Sequence, residues 1–122
     1  MAAKDDLGRA GEDRAVAHLT ARGFGVLERN WRCREGEIDI VARTATALVF
    51  VEVKTRRGDG FGDPLVAVDA RKRARLWRLA GAWSNAHPDQ ARGCTRRLDV
   101  IGITGADPAR ARLEHLEDVP WA

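Results

Sequence analysis

Hydrophobic and polar positions along this chain change period several times, and each change marks a predicted element. From Leu7 to Arg22 the period is helical: Gly8, Gly11, Ala15, Val16 and Leu19 share one arc of a 3.6-residue wheel, with Glu12 inside that arc. Asp5 or Asp6 stands where a cap is needed, and Gly23 stands at the stop. Gly23–Asn30 reads as a short strand carrying Phe24 and Val26 and ending in a turn at Asn30. Two runs of period two follow, Glu37–Arg43 and Leu48–Lys54, joined by Thr44–Ala47. In them Ile38, Ile40 and Ala42 form one face, matched by Val49, Val51 and Val53. Gly58, Gly60, Gly62 and Pro64 mark a flexible loop. Asp69 predicts the cap of a second helix reaching about Asn85, with Leu76, Leu79, Ala80 and Trp83 at helical spacing and Pro88 past its end. Arg97–Ile103 alternates as a strand, and Leu113–Leu116 is a weak last one.

The order α-β-β-β-α-β implies an α/β fold, a mixed sheet flanked by helices. At 122 residues it fits one domain spanning 1–122. A content of 44% hydrophobic and 32% charged residues excludes a disordered chain. The longest apolar run, Ala47–Val51, is far below the ~20 residues that span a bilayer. Met1–Asp6 leads directly into a charged helical pattern, without a signal-peptide profile. Cys33 and Cys94 lack both zinc-site spacing and a disulfide framework, so unpaired thiols and a cytoplasmic location are expected.

The net charge of +3 is weak evidence, but its distribution is uneven. Between Lys54 and Arg78 eight Lys/Arg face three Asp, a pattern that suits either a phosphate backbone or a solvated helix face.

The chemistry lies in the two alternating runs. A two- or four-residue turn centred between Ala45 and Thr46 pairs positions whose numbers sum to 91, setting Asp39 opposite Glu52 and Glu37 opposite Lys54. Directly opposed carboxylates repel and destabilise a sheet. A divalent cation between them removes that penalty, since hard cations such as Mg²⁺ take carboxylate oxygens. Lys54 shares the face of Glu52 and is suited to orient water or to stabilise charge on a phosphoryl group. Glu12, on the packing side of its helix, either borders this site or bonds a neighbouring backbone group or Arg. Lys72 is a phosphate contact or a surface lysine, and Trp31, among Arg29, Arg32 and Arg34, is a core residue or a base-stacking one. His18, His87 and His115 show no mutual spacing for catalysis or metal.

Gly11-Glu12, Asn30-Trp31-Arg32, Gly36-Glu37-Ile38-Asp39-Ile40, Phe50-Val51-Glu52-Val53-Lys54-Thr55-Arg56, Phe61-Gly62, Lys72 and Arg97-Leu98-Asp99 together resemble the YraN family. That family is similar in fold to the PD-(D/E)XK nucleases, including restriction endonucleases and archaeal Holliday-junction resolvases. The resemblance implies a restriction-endonuclease-like core with Asp39 as the motif Asp, Glu52 as the motif acid and Lys54 as the motif Lys. Ile38 replaces the Pro of the motif, and Glu12 matches the helical Glu of the resolvase-like branch.

The expected protein is therefore a metal-dependent endonuclease hydrolysing DNA phosphodiester bonds, on branched or single-stranded DNA in particular. Asp39 and Glu52 would hold Mg²⁺ or Mn²⁺, with Lys54 and Glu12 completing the catalytic set. Arg56, Arg57, Lys72, Arg73 and Arg75 would contact the nucleic acid, and Arg71 and Arg78 are further candidates for backbone contact. A second copy of the chain or a DNA-processing protein are further candidate partners, and a membrane is not. The alternative is a non-catalytic module that binds nucleic acid or a partner on the same fold.

Overall fold

A computed structural model describes residues 3–58 and 67–121. The elements in order are α1 (Ala3–Ala21), β1 (Gly25–Cys33), β2 (Gly36–Arg43), β3 (Ala47–Arg56), α2 (Ala70–Ala86), the single turn α3 (Pro88–Ala91), β4 (Thr95–Thr104) and β5 (Arg112–Val119). The strands form one sheet in the order β1-β2-β3-β4-β5. Only β3 and β4 run parallel, joined by the crossover through α2; the other neighbours are antiparallel. This is the expected mixed α/β sheet flanked by helices, with a fifth strand at the edge.

β3 is the centre of the sheet, and its alternation sorts the core into two layers. Leu48 and Phe50 face α2, where they join Leu76, Leu79, Ala80 and Trp83 with Val41, Leu98 and Val100. Val49 and Val51 face α1, joining Ala15 and Leu19 with Ile40, Ala42, Ile101 and Ile103. Both faces of β3 are therefore dry from Ala47 to Glu52, as a strand covered on both sides must be. Burying each such aliphatic or aromatic side chain contributes about 1.5–3 kcal/mol.

Local signals set α2. Asp69 accepts a hydrogen bond from the Lys72 backbone N–H at 2.9 Å, so the expected cap is present. Its end is different: Pro88 opens α3 at a position where proline's missing N–H costs nothing.

Four expectations require correction. α1 begins at Ala3, a turn early, which places Asp5 and Asp6 inside the helix and not at its cap. β1 does not turn at Asn30 but runs on to Cys33, with Asn30 held inside it at φ +53°. The last strand is a full one, extending to Val119. Ile38 packs with Val41 on the α2 side, away from Ile40 and Ala42, so the alternation of β2 breaks at Asp39. Of the loop glycines, Gly60 and Gly62, with Phe61 and Pro64, lie outside the described residues. Among the described residues no helix is long and apolar enough to cross a membrane. Cys33 and Cys94 are both free thiols.

Candidate functional site

The break at Asp39 is what builds the site. The register of β2 on β3 is the expected one where the strands pair: Ile40 with Val51, Val41 with Phe50, Ala42 with Val49 and Arg43 with Leu48. The pairing stops at Ile40 and Val51, one step short of Asp39 and Glu52. There the Asp39 carboxylate reaches across and accepts the Val53 backbone N–H at 2.8 Å. On its other side β1 pairs regularly through Arg29–Ile40 and Trp31–Ile38, and the intervening Asn30 takes the left-handed conformation that asparagine tolerates better than most residues. Asp39 thus sits in a gap between two strands and does not stand flat opposite Glu52. Nor does Glu37 pair with Lys54 in the ladder: its carboxylate lies 3.4 Å from the Arg32 guanidinium.

Glu52 is buried at 5% exposure, at the point where β3 passes from the core to the sheet's edge. Two lysines share one of its oxygens. Lys72 Nζ, from the first turn of α2, lies 2.6 Å from Glu52 Oε2, and Lys54 Nζ lies 3.5 Å from the same atom. Lys72, one of the nucleic-acid candidates, is therefore part of the acidic centre. A cavity of about 200 Å³ opens here, bordered by Glu37, Asp39, Glu52, Lys72 and Arg75. A second cavity of about 700 Å³ meets it at Asp39 and Glu37 and is bordered by Glu12, Asn30, Lys54 and Thr55.

The electrostatics follow from crowding charge in a half-buried gap. Burial, and then the charge of Glu52, push the Asp39 carboxyl up to about 7, against the opposing pull of the Val53 N–H. Burial also lowers the Lys54 ammonium, with Lys72 acting in the same sense and Glu52 against it. Burial acts against the charge of Lys72 as well, but the Glu52 carboxylate outweighs it and holds that lysine above its ordinary value.

Glu12 satisfies both readings made of it. It is buried, and its Oε1 accepts from Asn30 Nδ2 at 2.9 Å and from Arg29 Nε at 3.1 Å. It also borders the larger cavity beside Asp39, whose carboxyl its charge raises. Gly11 makes that placement feasible. A Cβ there would collide with the Thr55 side chain, so only glycine lets α1 approach β3 this closely and carry Glu12 to the gap.

The arginines separate into two groups. The Arg56 guanidinium nitrogens are buried, and Arg73 turns back to donate to the Val68 carbonyl at 2.8 Å with its Nε also buried. Neither presents itself to a polymer at the surface. Arg57 and Arg75 are exposed, and so are Arg71 and Arg78. Trp31 packs half-buried against the α2-side core, which is the core reading of that residue.

One network was not visible in the sequence. His18 on α1 and His115 on β5 approach to 3.0 Å between Nε2 and Nδ1, and His115 Nε2 meets Asp99 Oδ2 at 2.7 Å. Asp99, fully buried, also accepts two bonds from Arg97 at 2.9 Å and the Asp118 N–H at 3.0 Å. Burial would raise its carboxyl, but these donors, His115 and Arg97 foremost, hold it below the usual range. The only signal in the sequence was a charged residue at an inward position of an apolar strand.

In donor chemistry, Asp39 and Glu52 border one cavity and offer carboxylate oxygens, the donor type that a hard cation such as Mg²⁺ or Mn²⁺ takes. Among the described residues no group of three or more His, Cys, Asp or Glu side chains converges on one point, so a cation there would take its other ligands from water and substrate.

A mixed five-stranded α/β protein with an acid–lysine centre at the mouth of its central strands is the class that fold and site define. The chain belongs to a family within that class: residues 11–103 match the model described as uncharacterised protein family UPF0102, the family of the YraN resemblance. A UPF0102 protein of Clavibacter michiganensis is 55% identical over 103 residues, covering 84% of this chain and 86% of its own. Those of an Arthrobacter strain and of Frankia alni are 47% and 49% identical, each covering at least 95% of both chains.

Proposed function

We propose that the protein is a metal-dependent nuclease that hydrolyses phosphodiester bonds in DNA. The observation that carries this reading is the gap where β2 leaves β3. It brings Asp39, Glu52 and Lys72 around one cavity, with Lys54 beside the same Glu52 oxygen and bordering the adjoining cavity, where the pairing of β2 with β3 has ended.

Asp39 and Glu52 would hold Mg²⁺ or Mn²⁺, an ion that, once bound, makes water nucleophilic at neutral pH and offsets charge on the phosphoryl oxygens. Around it the protein's own groups have distinct tasks. Lys54, lowered by burial, directs a donor at the cavity where charge would develop on the phosphorus oxygens. Val53 fixes the Asp39 carboxylate by its backbone N–H, and Asn30 and Arg29 fix Glu12 at the far wall. The resolvase-like resemblance favours branched or single-stranded DNA as substrate.

The Lys72–Glu52 contact favours a second reading. An ammonium at 2.6 Å already neutralises Glu52, so the centre is self-sufficient without a metal, as in a non-catalytic module that binds nucleic acid or a partner. Calorimetric titration with Mn²⁺ separates the two. A nuclease should bind Mn²⁺ in the wild type, lose it in Asp39→Ala and Glu52→Ala, and bind it more tightly in Lys72→Met, which removes the competing cation. With Mn²⁺ it should cut some member of a panel of linear, single-stranded, flapped and four-way DNA, and Asp39→Asn purified in parallel should not. Cleavage that persists equally in the mutant would refute the mechanism. Absence of Mn²⁺ binding in all variants would leave the non-catalytic module.

A further inference from the structure

From the exposed face of α2 we infer that Arg71, Arg75 and Arg78 form a docking track for the phosphodiester backbone of a DNA strand, running into the acid–lysine centre. The identity of the strand rests on the reading above; the track itself rests on three separate features.

The first is geometry. Residues at i, i+4 and i+7 of a helix lie on one stripe, and with a rise of 1.5 Å per residue Arg71 and Arg78 are separated by about 10 Å along the axis. One strand of nucleic acid carries a charge about every 3.4 Å along its axis, so the stripe spans about three phosphates. The stripe is also turned away from Leu76, Leu79, Ala80 and Trp83, which occupy the buried face of the same helix.

The second is charge. Arg22, Arg29, Arg32, Arg92, Arg97 and Arg112 each have a carboxylate partner. Among the described residues Arg71, Arg75 and Arg78 form no ion pair. They border a cavity of about 480 Å³ whose one acid among the described residues, Asp69, has its carboxylate engaged in capping α2. Three like-charged guanidiniums on one stripe repel one another, and a polyanion removes that penalty.

The third is continuity. Lys72 and Arg75 border both this cavity and the one containing Asp39 and Glu52, so the track opens into the centre. A strand lying on it would deliver a phosphate to Lys72, at the edge of the acid pair. The expected arginine contacts are thereby reassigned: Arg73 and Arg56 are withdrawn into the protein, while Arg71 and Arg78 carry the load with Arg75.

The test uses the full chain in EDTA, with a fluorescein-labelled oligothymidylate of about 12 nucleotides as probe, its affinity measured by anisotropy across a salt series. Arg71→Gln/Arg75→Gln/Arg78→Gln should weaken binding roughly tenfold or more at about 50 mM salt. The slope of log affinity on log salt should shrink by about two, the share of three phosphate contacts on a single strand. Arg43→Gln/Arg92→Gln/Arg110→Gln, with the same loss of net charge at exposed positions elsewhere, should leave the slope within error of wild type. Equal slopes in the two triple variants overturn the track, as does an unchanged slope in the first. All three wild-type residues are exposed, so a thermal melt should confirm that both variants fold. Failure of the nuclease reading is seen separately: if the slope falls as expected while Mn²⁺ fails to bind, the track stands and the catalytic assignment does not.

Discussion

Asp39→Asn, in the absence of metal, should stabilise this protein at pH 8 and leave it unchanged near pH 4. The carboxyl sits at about 7 when folded, against 3.8 for an ordinary Asp, because it is buried next to Glu52. Its folded pKa is raised, so its contribution to stability is fully present below the unfolded value. That contribution is lost as pH rises from about 4 through about 7, where the folded state must give up a proton it prefers to keep. Three units at about 1.4 kcal/mol each give a cost of about 4 kcal/mol at pH 8, an upper figure. Asparagine keeps the oxygen that accepts the Val53 N–H and is nearly the same size, so the mutation removes the charge with little else. Urea denaturation of both proteins in EDTA at pH 4, 5, 6, 7 and 8 gives the comparison, and titrating groups remote from Asp39 cancel in the difference. The advantage of the mutant should grow by up to about 1.4 kcal/mol per pH unit to pH 7 and then level off. A difference independent of pH, or a mutant less stable than wild type at pH 8, would refute the electrostatic account of this gap.

Two further outcomes follow from the packing of α1. Gly11→Ala should destabilise the fold by about 1–3 kcal/mol despite alanine's better helix propensity, because its methyl meets the Thr55 side chain; Thr55→Ala should recover much of that loss in the double mutant, as a thermal-melt cycle would register. His18 has its pKa lowered, by burial first and then by His115, Arg22 and Arg14, so stability tied to its neutral form is present above pH 6.5 and is lost as pH falls below that value. His18→Gln should flatten the acid limb of the stability–pH curve below 6.5, and an unaltered limb would exclude this histidine as its source.

What could be read from the sequence was what local physics decides. A short turn centred between Ala45 and Thr46 set the register of β2 on β3, which holds from Ile40–Val51 to Arg43–Leu48. Asp69 fixed the start of α2 through a bond three residues long. What could not be read depended on partners far along the chain. His18 and His115 are 97 positions apart, and their contact exists only because the His115 side chain of β5 points to the face of the sheet that α1 covers. Asn30 has the composition of a turn, and only the pairing of Trp31 with Ile38 shows that the strand continues through it. The face taken by Ile38 was misread because alternation assumes an unbroken ladder, and the ladder of β2 on β3 ends at Ile40.

That last misreading falls at the proposed site. A sheet with both faces covered has no room for two carboxylates at directly opposed positions, because each would be stripped of water beside its own repulsion. Three departures from regular structure meet here. The β2–β3 ladder ends one pair early, Asn30 takes a left-handed conformation opposite Asp39, and Gly11 lets a helix close on β3 beside Thr55. Each carries a cost: a missing pair of ladder bonds, a strained backbone, a residue with poor helix propensity. Each also moves an acid towards the same gap, Asp39 by freeing it from the ladder and Glu12 by bringing its helix near. A fold that needed only stability would have closed this gap with paired strands and an alanine at position 11. The convergence of three local costs on one pair of cavities is therefore the physical ground on which the proposed chemistry is placed there, apart from any family resemblance. It makes a specific demand as well. Removing the charge crowded into this gap should improve metal-free stability at the expense of the chemistry, and Asp39→Asn is the variant in which both can be measured in the same protein.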